Sequence, residues 1–325
     1  MAEQPALFEL PPPSVAPAPH SAELRALGEQ LPPLLRLGTM SWSFPGWRGL
    51  VYDPGADPKL LAEAGLGAYT AHPILRTVEI DRSFYEPLAA RVFKSLAEQV
   101  PDDFRFVVKA HELVTLPRFP RHARYGKRQG EPNELYLHAG YAAERVVAEA
   151  VAGLGPKLGA LLWQFPPQEA GDPAAFAEQL HGFLSRLPQP VPYAVELRNP
   201  ELFSPAYGAA LAQAGALHAH NVWGRMPSVL AQARALPPST RRPLLVRWLM
   251  RRGDDYEGAR SRFLPFARLA EPDYTSRTDV ATLVAKALQH EVPALVLINN
   301  KAEGCAPESA AELGRAIAGK LWQRG

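Results

Sequence analysis

Short apolar, β-branched runs alternate regularly with stretches of helical spacing along most of the chain. The β-like runs span residues 35–41, 77–80, 105–110, 160–165, 193–197, 217–222, 244–249 and 294–298. The helical stretches span residues 58–65, 88–99, 139–154, 173–187, 205–215, 227–235, 279–290 and 308–323. Eight strands alternating with eight helices predict a closed (β/α)8 TIM-like barrel of the α/β class.

An open, doubly wound parallel sheet is the alternative fold. That fold commonly carries a glycine-rich phosphate-binding turn after its first strand. Here Gly38 lies within the first predicted strand, and Gly46 and Gly49 follow it with a different spacing. The barrel is therefore the preferred prediction.

The chain has 325 residues, whereas a barrel of this kind commonly takes about 250. Residues 1–33 are rich in proline and poor in large apolar side chains. We expect this segment to be a mostly disordered arm with one short helix at residues 22–30. Residues 34–325 then form a single barrel domain.

The overall composition narrows the classes of protein. A net charge of +2 gives no general affinity for nucleic acid, so any basic surface must be local. The single cysteine, Cys305, excludes an internal disulfide and a multi-cysteine metal site. Residues 1–5 lack the features of a secretory signal, and no apolar run approaches the roughly 18 residues of a membrane span. We expect a cytoplasmic protein without membrane contact. The sequence does not predict its oligomeric state.

Six motifs occur in order along the predicted barrel: GTMSWSFPGW at 38–47, TVEIDRSFY at 77–85, FRFVVKA at 104–110, LGALLWQFPP at 158–167, ELRNP at 196–200 and NNKAEG at 299–304. Together they resemble the YecE-like family, catalogued as domain of unknown function 72. The resemblance implies a TIM barrel and no agreed reaction. Met40-Ser41 stands where the family usually has Ser-Gly, His111 where it has proline, and residues 247–249 where many members have Leu-His-Gly, which suggests a subfamily.

Polar residues cluster at the carboxyl ends of the predicted strands, where barrels carry their active sites. The candidate site residues are Trp42, Trp47, Glu79, Lys109, His111, Gln164, Glu196, Arg198, His220, Asn221, Arg247, Asn299, Asn300 and Lys301. They describe a basin of mixed charge with aromatic walls.

Glu79 and Glu196 stand in otherwise apolar strands. An ionised carboxylate there costs several kcal/mol unless it is paired or hydrogen-bonded. One interpretation is a salt bridge inside the barrel mouth, for example between Glu196 and Arg247 or Lys109. The other makes the two glutamates catalytic, with one as general base and pKa values separated by burial and by neighbouring cations.

Arg198, Arg247, Lys109 and Lys301 are predicted to converge at the same mouth. Several cations there indicate an anionic ligand, since arginine holds phosphate or carboxylate in a two-pronged geometry. The loop at residues 301–307 adds backbone N–H groups before the last helix, a frequent phosphate site in barrels. The alternative is that these cations only neutralise the nearby carboxylates.

No cofactor motif is present. A divalent metal remains open, because barrel nucleases and sugar isomerases use His, Glu and Asp sets of this kind, and His218 and His220 share one face of a strand. No helix-borne HExxH motif accompanies them.

Two functions follow as hypotheses. The first is an enzyme, a hydrolase or isomerase, acting on an anionic and phosphate-containing small molecule. The second is a non-catalytic nucleic-acid-binding barrel that uses the loop at residues 116–128, where basic and aromatic residues interleave. The loop at residues 250–256 is the other candidate lid.

Overall fold

The computed structural model describes residues 14–167 and 171–322. Its strands are β1 Leu35–Thr39, β2 Leu75–Ile80, β3 Arg105–Lys109, β4 Leu158–Phe165, β5 Tyr193–Leu197, β6 Leu217–Val222, β7 Leu244–Trp248 and β8 Ala294–Ile298. All neighbours pair in parallel, and β1 pairs with both β2 and β8, which closes the barrel. The predicted (β/α)8 barrel is confirmed, and the open sheet is wrong.

The helices surround this barrel. They are α1 Ala22–Gln30, α2 Leu61–Ala64, α3 Leu66–Thr70, α4 Arg82–Tyr85, α5 Ala90–Ala97, α6 Ala139–Ala142, α7 Ala148–Leu154, α8 Pro173–Leu184, α9 Pro205–Ala214, α10 Val229–Ala235, α11 Tyr256–Phe263, α12 Tyr274–Gln289 and α13 Ala306–Trp322. A single π-helical turn, Ala143–Val147, joins α6 to α7. No helix in the described ranges is long and apolar enough to span a membrane.

Helices α4 and α11 were not predicted from the sequence. Helix α11 buries only Ala259 and Phe263, so its apolar spacing is too sparse to stand out. Its start is defined instead by Asp255, whose side chain accepts a hydrogen bond from the Gly258 N–H. Helices α4 and α11 both follow strands at the mouth of the barrel, which makes them important for the site.

The barrel interior is filled by alternate residues of the strands. Leu162, Ala194 and Leu245 belong to an inner apolar cluster separate from the large core outside the sheet. Successive side chains of a strand point to opposite faces, so the residue two positions later faces inward again. That next layer contains Gln164, Glu196 and Arg247, which brings polar groups to the carboxyl end.

Residues 14–33, part of the predicted arm, pack against the barrel. Helix α1 is present at the predicted position, capped by the Ser21 side chain. Leu27 and Leu31 are buried in the main core, and the Ala18 N–H donates to the Val51 carbonyl at 3.0 Å. The expected disorder therefore does not hold for residues 14–33, because their apolar side chains find a partner surface. Residues 1–13 lie outside the described residues.

Candidate active site

A pocket of about 340 Å³ opens at the carboxyl ends of the strands. Every strand or the loop after it contributes to its wall. The predicted site residues that line it are Glu79, Lys109, Gln164, Arg198, Arg247, Asn299 and Lys301. The barrel thus brings together residues from positions 79 to 301 of the chain.

Arg247 lies at the centre of the pocket floor and is fully buried. Its Nε and Nη2 donate to the two carboxylate oxygens of Glu79, at 2.9 and 2.8 Å. Its Nη1 donates to Glu196 and, more weakly at 3.4 Å, to the Gln164 side-chain oxygen. One guanidinium therefore bridges two carboxylates from different sides of the barrel.

Glu196 lies beneath the pocket rather than on its surface. Its side chain is 0% exposed, and it is not among the lining residues. One carboxylate oxygen accepts from Arg247 and the other from Arg198 Nε at 2.9 Å. The predicted ion pair between Glu196 and Arg247 is present, and Glu196 fixes the positions of both arginines.

The surroundings of Glu79 and Glu196 shift the pKa values of the two carboxyl groups in opposite directions. Burial raises the pKa of Glu79 above its usual range, despite the opposing attraction of Arg247 and Lys109. Burial would also raise the pKa of Glu196, but Arg247 and Arg198 together outweigh it, so this pKa lies below its usual value. The carboxyl that lines the pocket is the one with greater affinity for a proton.

Two side-chain amides on the pocket wall have oxygens that already accept hydrogen bonds from the protein. The Gln164 oxygen accepts from Arg198 Nη2 at 2.8 Å as well as from Arg247. The Asn299 oxygen accepts from the Lys301 backbone N–H at 3.0 Å, and its Nδ2 lies 3.5 Å from the Met40 sulfur. An amide whose oxygen is occupied offers a ligand its NH2 group, which is a donor.

The two lysines of the pocket differ in their pairing. Lys109 Nζ donates to Asp81 at 2.8 Å and lies 3.8 Å from the Phe84 ring centroid. Burial lowers the pKa of Lys109, and Asp81 and Glu79 oppose this. Lys301 Nζ lies 4.1 Å from the Tyr256 ring centroid and forms no ion pair within residues 14–167 and 171–322. Lys301 is therefore a cation without a carboxylate partner in the described chain.

Trp47 and Asn300 support the pocket from behind. Trp47 Nε1 donates to the Asn300 side-chain oxygen at 3.1 Å, and the same oxygen accepts from the Ala306 N–H at 2.8 Å. Residues 302–307 are buried. The predicted phosphate loop at residues 301–307 therefore has its first helical N–H satisfied by Asn300. Trp42 packs against the main core and does not line the pocket.

The predicted histidines and Asn221 also lie away from the pocket. The His111 ring contacts the Tyr141 hydroxyl at 2.7 Å. His220 faces an outer groove of about 610 Å³ beside His218, and burial holds its pKa well below its usual value. Asn221 Nδ2 donates to the Leu197 carbonyl at 2.7 Å. Strand parity explains His218 and His220, because the alternate residues Leu217 and Ala219 face the barrel interior and the two histidines face the outer helices.

Sequence reasoning did not place in the pocket the aromatic and charged residues that α4, α11 and the loops bring to the rim. They are Phe84, Tyr85, Glu112, Arg124, Tyr125, Trp223 and Tyr256. Loops, and helices as short as α4, have too little periodicity to assign a direction to a side chain. The available signal was the proximity of Phe84 and Tyr85 to Glu79 in one motif, together with the loops at residues 116–128 and 250–256 that the sequence had already singled out.

No three His, Cys, Asp or Glu side chains in the described ranges are grouped as metal ligands would be. The carboxylates of the pocket are each engaged by a cation instead, as in the ion pairs of Asp81, Glu79 and Glu112.

These features define the class of protein: a (β/α)8 barrel with a charged pocket at the carboxyl ends of its strands. The family model described as "Protein of unknown function DUF72" matches residues 36–323, and the chain belongs to this family. The resemblance to YecE-like barrels is thereby confirmed.

Solved structures support the same fold. A DUF72 family protein of Thermotoga maritima MSB8 is similar at a TM-score of 0.58 and 18% identity, over 87% of this chain and 98% of that chain. A DUF72 family protein of Enterococcus faecalis V583 is similar at 0.57 and 19%, over 87% and 95%. A comparison with curated proteins gives no match. At these identities the likeness shows the fold alone.

Proposed function

We propose that the mouth pocket is the active site of an enzyme that acts on a small anionic, phosphate-bearing substrate by hydrolysis or isomerisation. The observation that carries this proposal is the set of hydrogen-bond donors on the pocket wall that have no acceptor within the described residues. A site rich in donors and cations is complementary to phosphate oxygens, which only accept.

Three groups would hold the anion. Arg198 uses Nε for Glu196 and Nη2 for Gln164, and its Nη1 has no partner in the described residues. Gln164 keeps its NH2 group because its oxygen is occupied. Lys301 supplies a positive charge without a carboxylate partner in that same part of the chain. Arg247, by contrast, forms ion pairs with both Glu79 and Glu196 and holds these two side chains in place.

Glu79 would transfer the proton. It lines the pocket, and its raised pKa places it closer to neutral pH, where a general acid or base works best. Glu196 stays ionised and, with Arg247 as a support, positions Arg198 for the charge that develops in the transition state. Two carboxylates with pKa values pulled apart are the pattern of an acid-base site.

A non-catalytic nucleic-acid-binding barrel is the second candidate, supported by the basic loop at the rim. Arg121 and Lys127 are exposed, and neither forms an ion pair in the described chain. Arg124 instead turns to Glu112, and Arg128 stacks on the Phe119 ring at 3.8 Å. This candidate requires oligonucleotide affinity that falls steeply with salt and is independent of Glu79.

The test is turnover of a panel of sugar phosphates and nucleotides by the wild type and by Glu79→Gln. We expect the variant to lose about 10²- to 10⁴-fold in kcat while the affinity for the same compound changes little, since a general acid-base group acts in the transition state. Glu63→Gln, at an exposed carboxylate of α2, is the matched control and should retain full activity. Turnover by Glu79→Gln equal to the wild type would refute this role.

A further inference from the structure

The pocket combines its donor-rich floor with an aromatic rim. Five aromatic side chains line it: Phe84, Tyr85, Tyr125, Trp223 and Tyr256. A phosphate needs only the donors and cations of the floor. The rim therefore indicates that the ligand also carries a flat or apolar part.

Two of these rings are open to solvent. Tyr85 is 55% exposed and Tyr256 is 51% exposed. They come from α4 and α11, the helices that follow β2 and β7, and both line the same pocket. The two phenols thus belong to one rim. Large exposed aromatic surfaces around a pocket are typical of a binding site.

Cations accompany the rings around the mouth. Arg198 Cζ lies 4.1 Å from the Trp223 ring centroid, and Lys301 Nζ lies 4.1 Å from that of Tyr256. An anionic group held by Arg198 or Lys301 therefore sits beside an aromatic face. A ligand that uses both must carry its negative charge and its stacking surface close together.

We infer that the substrate is a nucleotide, whose phosphate binds Arg198, Gln164 and Lys301 and whose base stacks on the rings of Tyr85 and Tyr256. This inference rests on the proposed phosphate-binding active site and names its substrate class. A base offers a π-face to any aromatic side chain, so stacking is independent of base identity. A pocket of about 340 Å³ is at the small end of ligand sites and suits a single nucleotide unit.

The nucleotide has two potential sources, a free mononucleotide or the phosphorylated end of a single strand. A base within a duplex cannot reach the rings unless it leaves the stack. Arg121 and Lys127 are exposed in the loop at residues 116–128. They would contact further phosphates of a strand but would not contact a mononucleotide. These two side chains therefore distinguish the sources.

The experiment measures dissociation constants of the full-length protein for adenosine 5′-monophosphate, ribose 5-phosphate and inorganic phosphate. Stacking of one base should make the nucleotide bind about tenfold to hundredfold more tightly than ribose 5-phosphate. The double variant Tyr85→Ala, Tyr256→Ala should abolish this difference. Tyr85→Phe, Tyr256→Phe should keep it, because phenylalanine retains the ring face.

The matched control is Tyr274→Ala, which removes a 70% exposed tyrosine of α12 outside the mouth pocket and should keep wild-type affinities. Equal affinity for the nucleotide and for ribose 5-phosphate, with both weakened by Lys301→Ala, would overturn the nucleotide inference and leave the phosphate site intact. No binding of any of the three probes would overturn both.

A 5′-phosphorylated pentadeoxyadenylate completes the series. If this strand binds more tightly than adenosine 5′-monophosphate, and the double variant Arg121→Glu, Lys127→Glu loses that difference, the site is assigned to a strand end. Equal affinity, unaffected by that double variant, would assign it to the free nucleotide. Both results support the shared base-and-phosphate chemistry, whereas a strand that binds equally well to the Tyr85→Ala, Tyr256→Ala variant would contradict it.

Discussion

Arg247 is the residue on which the polar floor depends, since its guanidinium neutralises Glu79 and Glu196 in a buried environment. Breaking a buried ion pair by removing one partner costs far more than the pair contributes, because the remaining charge stays buried and uncompensated. The cost should therefore depend on how many partners each group retains. This gives an ordering of variants that can be measured.

We expect Glu196→Gln to lower the free energy of unfolding by about 3–5 kcal/mol, because it deprives both Arg247 and Arg198 of a carboxylate. Glu79→Gln should cost less, since Arg247 keeps Glu196 and the raised pKa of Glu79 already weakens its charge. Urea unfolding monitored by circular dichroism measures both. A larger cost for Glu79→Gln would show that Glu196 does not position the arginines.

The same two residues predict opposite dependences of stability on pH. The pKa of Glu79 is raised in the folded state, so its contribution to stability is complete below the unfolded value and is lost as the pH rises through the folded pKa. The pKa of Glu196 is lowered, so its contribution is present above the unfolded value and is lost as the pH falls through the folded pKa.

Unfolding of the wild type and both Gln variants should be followed between pH 3 and pH 8, on either side of the unfolded glutamate pKa of roughly 4.3. Glu79→Gln should reduce the loss of stability on the alkaline side of this value, and Glu196→Gln the loss on the acidic side. Identical pH profiles for the three proteins would contradict the assigned directions of the pKa shifts.

Among the elements, α1 shows that the chain before β1 belongs to the fold. Gly28 in this helix packs directly on the backbone: a Cβ atom added there would lie 2.4 Å from the Pro73 carbonyl oxygen. A glycine in a helix is normally a weakness relative to alanine. Here the missing side chain permits close contact between α1 and the segment before β2.

Gly28→Ala should therefore destabilise the protein by about 1–3 kcal/mol, the usual cost of overpacking, despite the better helix propensity of alanine. Gly319→Ala is the matched control, because this exposed glycine of α13 has no atom within 4 Å of an added Cβ. The control should gain up to about 1 kcal/mol. Thermal or urea unfolding of the two variants measures the difference, and a stabilising Gly28→Ala would mean that α1 does not pack as described.

For the whole molecule, the net charge of +2 conceals a local concentration of cations at one end of the barrel. An anionic ligand should therefore stabilise the entire fold through this site. A ligand at about 100 times its dissociation constant adds roughly 2.7 kcal/mol to the free energy of unfolding. Adenosine 5′-monophosphate should raise the melting temperature of the wild type by several degrees.

Lys301→Ala at the same ligand concentration should lose most of this rise, because it removes the cation that has no carboxylate partner in the described chain. Differential scanning calorimetry measures both proteins with and without ligand. An equal rise in the wild type and the variant would place the binding elsewhere, for example in the outer groove beside His218.

Strand pattern was sufficient to predict the barrel. The run at residues 294–298 is apolar at every position because β8 is covered on both faces, and its predicted bounds agree with the structure. The predicted strand ends also placed Glu79, Gln164 and Arg247 together, since a barrel carries the carboxyl ends of all its strands on one side. The barrel and the position of these polar residues at its mouth were thus accessible from local sequence.

Which side chains pair, and which of them reach the pocket, depended on tertiary packing. Arg247 and Glu79 are 168 residues apart, and only closure of the barrel decides that they meet and that Glu196 lies below the pocket. Asn300 was predicted as a ligand group but caps α13, while Tyr85 and Tyr256 reach the rim from helices with weak patterns. The face that a strand side chain occupies follows a two-residue period, whereas the partner of a loop side chain depends on how distant segments pack.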